Sequence, residues 1–324
     1  MGLFGNAKQF PRRLGGSFAR MARNPSSCAP HPSELLEPQP LAVTSADRLL
    51  ESLSARDVVT QDGLVVALSL SGRAFLSAAT ELFRTNPIRS LRLVAVAPFL
   101  EALARSPHLA MLARLDLSGN QIGPAGLKTL LASPFLSNLQ ELGLGRNGLN
   151  AEGVEVLKSF TGRERIRKLE LADNGLTAND VRNVLADSSW PMLASLGLAE
   201  NPIGPDIIGA FSTGPIAELG LENVGLTTLG AIRLAKSELR PSVLDLGFNR
   251  LNDAGIVALA ITPLLANCTA LNLRGNFIRA AGAEALLRST SLGQIRYLDL
   301  RANPLEPETI EKLGTRFGSA VILS

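Results

Sequence analysis

Leucine and isoleucine recur along this chain in one frame. LARLDLSGNQI from Leu112 returns as LQELGLGRNGL from Leu139, IRKLELADNGL from Ile166 and LASLGLAENPI from Leu193. It continues as IAELGLENVGL from Ile216, PSVLDLGFNRL from Pro241, CTALNLRGNFI from Cys268 and IRYLDLRANPL from Ile295. Within each copy the L-x-L triplet alternates with the period of a strand, so Leu115 and Leu117 point one way and Asp116 the other. The stretches that follow carry apolar residues three and four apart, the period of a helix with one stripe turned inward. Helices are predicted from Gly123 through Leu131 and over 150–160, 177–185, 252–260, 279–287 and 306–313, and Pro124 suits a first helical turn. A strand and a helix in every repeat predict an α/β fold.

Seven of the eight frames place asparagine at one position: Asn120, Asn147, Asn174, Asn201, Asn249, Asn276 and Asn303. The intervals are 27, 27, 27, 48, 27 and 27, and the long one contains a copy with Val224 in that place. A chain leaving a strand loses the ladder partners of its N–H and C=O groups, which cannot stay unpaired inside a fold. An amide is both donor and acceptor, so a column of Asn side chains can satisfy these turns repeat after repeat. Val224 lacks both functions, and a local irregularity is expected near it. Upstream, residues 63–70 alternate like a strand, 73–83 read as a helix before Pro87, and 88–93 form a second strand with Val96 in the Asn place. These two units read as degenerate opening repeats that cap the array. Residues 320–323 add a closing strand, for about eleven short parallel strands.

This pattern resembles leucine-rich repeats, and the 27-residue period with a helical second half resembles the ribonuclease-inhibitor-like type. The resemblance spans residues 88–324 and implies a horseshoe solenoid with a parallel sheet on the concave side and helices on the convex side. The stretch GLVVALSLSGRAFLSAATELFRTNPIRSLRL also resembles the opening segment of a bacterial family in which a short companion domain precedes such repeats. That companion module is not recognisable in residues 1–60.

Composition bounds the chemistry. The 324 residues are 46% hydrophobic and 19% charged, enough apolar surface for a folded core. Aromatics are 4%, which leaves few platforms for stacking bases and argues against nucleic acid as a partner. Two Cys and two His do not make a disulfide scaffold or a zinc centre, and a reducing, cytoplasmic setting fits them, with a secreted effector as the alternative. The net charge of +3 is uneven. Residues 1–24 carry Lys8, Arg12, Arg13, Arg20 and Arg23 with no acidic residue, whereas residues 61–324 hold 25 basic and 24 acidic side chains. Leu3, Ala7, Phe10, Leu14, Phe18 and Met21 are spaced as on a basic amphipathic helix, but Pro11 and Gly15-Gly16 oppose one. Arg12-Arg13 lacks the apolar run of an export signal. Residues 24–40 are dense in proline and read as an extended linker. The domain expectation is therefore a largely disordered leader and linker over 1–60, then a repeat domain over 61–324, divided at 111 and 318 into opening repeats, regular repeats and a closing strand.

A search for phosphate loops, metal motifs and nucleophile elbows returns nothing, so no catalytic, cofactor or metal site is expected. Cys268 occupies a Leu position and reads as a small buried hydrophobe; His108 reads as a helix end. The remaining chemistry lies on the outward positions of the strands. These are Arg92, Arg114 and Asp116; Glu141; Lys168 and Glu170; Glu218 and Glu222; Asp245 and Phe248; Arg274; Tyr297, Asp299 and Arg301. The middle is acidic, with Gly143, Gly197, Gly220 and Gly247 giving sparse cover. Phe248, Arg274, Tyr297 and Arg301 form an aromatic and arginine combination of the kind enriched at interface centres. The function expected is a non-enzymatic, monomeric interaction scaffold that binds a protein on its concave face. The resemblance adds a second class, a bacterial effector or a regulator of GTPases or ligases, and the basic leader adds a third, a membrane-associated adaptor.

Overall fold

A computed structural model describes residues 45–186, 190–211 and 216–323. Twelve strands form one sheet in strict chain order. The opening strands are β1 (Arg56–Gln61), β2 (Leu64–Ser71) and β3 (Ser90–Val94). The repeats then supply β4 (Arg114–Asp116), β5 (Glu141–Gly143), β6 (Lys168–Glu170), β7 (Ser195–Gly197), β8 (Glu218–Gly220), β9 (Val243–Asp245), β10 (Ala270–Asn272) and β11 (Tyr297–Asp299), and β12 (Val321–Ile322) closes the array. From β2 to β12 every pairing is parallel, with the L-x-L triplets in register, Leu115 on Leu142 on Leu169 on Leu196. The expected parallel strands are thus all present. The convex side carries α4 (Gly123–Leu131), α5 (Asn150–Ser159), α6 (Ala178–Leu185), α7 (Thr228–Ala235), α8 (Asn252–Ala260), α9 (Ala280–Arg288) and α10 (Pro307–Phe317), after α2 (Gly72–Thr85) and α3 (Leu100–Ala104) in the opening repeats. One apolar core runs unbroken from Val65 to Leu313, with Cys268 inside it as expected.

Two features depart from the sequence reading at the N-terminal end. Helix α1 (Ser45–Ser52) and β1 lie before or across residue 61, inside the segment assigned to leader and linker. β1 runs antiparallel to β2 around Asp62-Gly63, both at positive φ. An Asp-Gly pair is a strong hairpin signal, and the hairpin covers the edge that the first parallel strand would otherwise expose. The leader itself lies outside the described residues.

The asparagine column links successive turns. Asn174 donates to the carbonyls of Leu144 and Leu171, both at 3.0 Å, and its Oδ1 accepts the N–H groups of Asn147 at 3.0 Å and Leu149 at 3.2 Å. Asn201 repeats this toward Asn174 and Leu176, and Asn120 ties back to Val96. Each amide therefore joins its own turn to the preceding repeat. Where the next Asn is missing, the bond turns inward instead. The Ile203 N–H, with Val224 ahead of it, goes to Asn201 O at 2.8 Å, and the Leu305 N–H, at the end of the array, goes to Asn303 O at 2.9 Å. The irregularity expected near Val224 falls one repeat earlier, where Pro205–Phe211 is a 3-10 helix in place of an α-helix.

Asn174→Ala removes two donors and two acceptances from a buried turn, and a cost of about 1–3 kcal/mol is expected. Urea denaturation reads it as a lower midpoint at unchanged slope. Asn303→Ala, half-buried at the open end where water can substitute, should cost less; a parent-like midpoint for Asn174→Ala would remove the column's structural role.

Candidate functional site

The outward residues of the strands form continuous rows because the register is strict. One row runs Ser90, Arg114, Glu141, Lys168, Ser195, Glu218, Val243, Ala270 and Tyr297. The next runs Arg92, Asp116, Gly143, Glu170, Gly197, Gly220, Asp245, Asn272, Asp299 and Ile322. Strands 4.8 Å apart bring charges in one row within pairing distance.

At the N-terminal end these charges are matched. Arg92 lies 3.7 Å from Asp116, and Arg114 lies 2.5 Å from Glu141. Lys168 is flanked in its row by Glu141 and, two strands on, by Glu218. Burial lowers its pKa, opposed by Glu218, Glu141 and Glu170. On the rim, Arg146 reaches Asp173 at 3.2 Å and Glu200 at 3.9 Å.

Beyond Lys168 the balance changes. On β7, β8 and β9 and at the second position after each, the charged residues are Glu218, Glu222 and Asp245, all acidic, and the corresponding position after β10 is Arg274; farther round the turns stand Glu200 and Arg250. Glu170 and Asp245 are only 3% and 0% exposed. Glycines make this possible, since a Cβ at Gly197 would collide with the Glu170 carboxylate and one at Gly143 would sit 2.6 Å from Asp116 Oδ1. Gly143 and Gly197, which looked like bare patches in the sequence, are the floors on which Asp116 and Glu170 lie, whereas Asp245 lies against the Asn272 amide. Each such side chain also closes the turn after its strand by accepting the N–H two residues on: Asp116 from Ser118 at 2.9 Å, Glu170 from Ala172 at 3.2 Å, Asp245 from Gly247 at 2.9 Å, Asn272 from Arg274 at 2.9 Å and Asp299 from Arg301 at 3.0 Å.

One oxygen of each central acid has no protein partner: Glu170 Oε2 and Asp245 Oδ2. Burial raises the Glu170 pKa to about 7, against the Ala172 N–H and Lys168 that oppose it, with Asp116 adding to the rise. Burial and then Glu222 raise Asp245 to about 8, the Gly247 N–H and the Asn272 amide (2.8 Å) opposing and Asp299 adding. The Asn272–Asp245 contact was not anticipated; its signal is the spacing of 27 between outward positions of adjacent strands. A cation brought to this face would supply the missing donors and draw both acids into their ionised forms.

The C-terminal candidates are engaged within the fold. Tyr297 is buried with Val243 and Ala270 in a small apolar cluster on the outward face, against Ile322. Arg301 grips Asp299 through Nε at 3.0 and 3.1 Å and through Nη2 at 2.5 Å, which raises its pKa. Arg274 stacks 5.1 Å from the centroid of the exposed Phe248 ring. The sequence grouped these four residues, and the structure divides them between internal pairs and one rim aromatic. His108 packs its ring 5.3 Å from that of Phe83 and contacts Thr80 at 3.3 Å.

The family model described as Leucine Rich repeat matches residues 108–131, 135–158 and 242–260. Those three segments match leucine-rich repeats, and the described residues form an α/β solenoid. None of the curated proteins matches its sequence. Among solved structures it is similar to the Rad7 and Elc1 complex of yeast, 18% identical over 78% of this chain and 78% of that chain, with a TM-score of 0.43. It is also similar to a leucine-rich repeat protein of Leptospira interrogans, 23% identical over 67% of this chain and 49% of that chain, with a TM-score of 0.39. Among the described residues no helix is long and apolar enough to cross a membrane, and no group of three or more His, Cys, Asp or Glu is placed to hold a metal ion.

Asp245 gives the face a pH signature. Its carboxyl rises from an ordinary 3.8 to about 8, so the folded chain keeps a proton that the unfolded chain has released, and stability falls as pH rises through that interval. Asp245→Asn preserves the shape and the bond to Gly247. Its Tm should exceed that of the parent at pH 8 and converge with it toward pH 4, while Glu170 leaves a smaller slope in both proteins. Thermal melts across this range test it, and a Tm difference independent of pH would dismiss the assignment.

Proposed function

We propose that this chain is a non-enzymatic interaction scaffold whose concave face receives a basic polypeptide segment between β6 and β9. The observation that supports this reading is the acidic run from Glu170 to Asp245 with two buried carboxylate oxygens lacking partners. Glu218 and Glu222, half-buried on the same face, make the first contacts. Arginine suits the site best, because its planar fork supplies several donors at once to carboxylate oxygens and is more weakly hydrated than an ammonium. Exposed Phe248 with Arg274 forms the C-terminal rim and sets where the segment ends. The period of 27 and the helix in each regular repeat support the ribonuclease-inhibitor-like type. The acidic face and the aromatic-poor composition favour a protein partner over nucleic acid, and the two cysteines favour a reducing compartment such as the cytoplasm.

A nine-residue oligoarginine peptide serves as probe, measured by isothermal titration calorimetry against the full-length protein. Binding should tighten from pH 6 to pH 8.5 as Glu170 and Asp245 ionise, release protons near neutral pH, and weaken with salt. Replacing Glu170, Glu218 and Glu222 by Gln and Asp245 by Asn together should weaken it at least tenfold. Equal affinity for parent and variant would refute the assignment of the face.

A further inference from the structure

The acidic run has a candidate occupant within the same polypeptide. Residues 1–24 carry five basic side chains and no acid, while the array from residue 61 is balanced, with 25 basic and 24 acidic residues. The positive excess of the chain is thus gathered in one segment, and a run of outward acids is gathered on β6, β8 and β9 and the turn after β8. We infer that residues 1–24 dock in cis on the concave face, placing arginines at Glu170, Glu218, Glu222 and Asp245, and so hold the site against a basic partner until that partner displaces them. This rests on the reading of the acidic face given above and adds its regulation.

Reach and concentration both permit it. Residues 25–44 hold five prolines and join the leader to α1 beside the first edge of the sheet. An extended Pro-rich chain advances about 3.1 Å per residue, so this stretch spans up to roughly 60 Å. Strands are spaced about 4.8 Å apart, which puts β8 roughly 30 Å from β2 along the sheet. A tether of matching length converts docking into an intramolecular event at an effective concentration of order millimolar. The leader's apolar residues, Leu3, Phe10, Leu14, Phe18 and Met21, have a counterpart on the outward face in the cluster of Val243, Ala270 and Tyr297. The charges facing the docked segment are Lys168 and Glu170 from β6, Glu218 from β8, Glu222 after β8, Asp245 from β9 and Arg274 after β10. The two cations bracket the acids and fix the limits of the occupied stretch.

The native cysteines make the test direct on the full-length protein. Cys268 is fully buried with its thiol pKa pushed up to about 12, so a thiol-reactive nitroxide attaches at Cys28, just after the leader. A Cys28→Ser control confirms the position. Paramagnetic broadening should fall on the amide signals of β6 to β9. It should vanish at about 1 M salt, where the screening length is about 3 Å, and in the variant with Lys8, Arg12, Arg13, Arg20 and Arg23 all changed to Gln. That variant should also bind oligoarginine at least tenfold more tightly than the parent. Broadening absent from these strands, or transmitted only from labelled to unlabelled copies in a mixture, overturns docking in cis. So does leader-dependent flotation with phosphatidylserine vesicles in a chain that shows no such broadening. Equal oligoarginine affinity in parent and leader variant overturns the competition while leaving the face's function intact. Oligoarginine binding to neither chain sinks the proposed function, and the broadening still decides where the leader rests.

Discussion

The structure depends on one requirement: a chain that turns out of a short strand every 23 to 27 residues must find partners for the N–H and C=O groups it takes with it. A three-residue strand has no length to spare for this, and the turns lie against an apolar core where water cannot substitute. The Asn amide resolves it by reaching both its own turn and the preceding repeat, so each amide is a bond between coils as well as within one. The two places without a following Asn show the alternative. At Ile203 and Leu305 the turn closes on the carbonyl two residues back, and after the first of these the helix gives way to a 3-10 turn with the pitch of its neighbours lost.

Strict register, kept even through β8 where Val224 interrupts that column, determines what the outward face can be. Because every triplet is aligned with the next, outward residues stand in rows about 4.8 Å apart, and each row is a linear arrangement of charge. The first strands use this for alternating pairs, Arg92 with Asp116 and Arg114 with Glu141. Exposed pairs of that kind contribute little to stability. Glycines in the rows have a different effect: they let a neighbouring carboxylate lie down along the sheet, as Glu170 does over Gly197, which takes it out of water without giving it a full set of donors.

The parts of this molecule governed by periodicity were legible in the sequence. The Leu-x-Leu triplets, the helices after them and the amide column follow from apolar spacing and from the donors and acceptors of Asn, and they lie within a residue or two of their expected places except the last helix, which runs four residues further to Phe317. What was not legible depends on three-dimensional neighbours. The opening hairpin breaks the repeat and has a single local marker, Asp62-Gly63. The burial of Glu170 and Asp245 requires knowing that a glycine or an amide stands beside them on the adjacent strand, 27 positions away. Tyr297 and Arg301 looked like interface residues by type, but an apolar cluster holds one and Asp299 holds the other. Residue type identifies a surface; register decides whether the side chain remains available on it.

The charge at the centre of the face is not something the fold requires. The bond that closes each turn, an oxygen accepting the N–H two residues on, is made at 2.9 Å by Asp245 and equally at 2.9 Å by Asn272. A neutral amide therefore performs the architectural task without the desolvation that raises the Asp245 pKa. An Asp at this position is destabilising wherever it is ionised, and its neighbours Glu222 and Asp299 make it more so. Structural demand alone would favour Asn at 245 as at 272. The acid adds a latent negative charge with one unsatisfied oxygen, which is relieved when a cation arrives and is a liability until then. A cation seated on the open face would relieve that liability, which folding alone does not, and this is why the proposed function falls on the acidic rows and not on the aromatic rim.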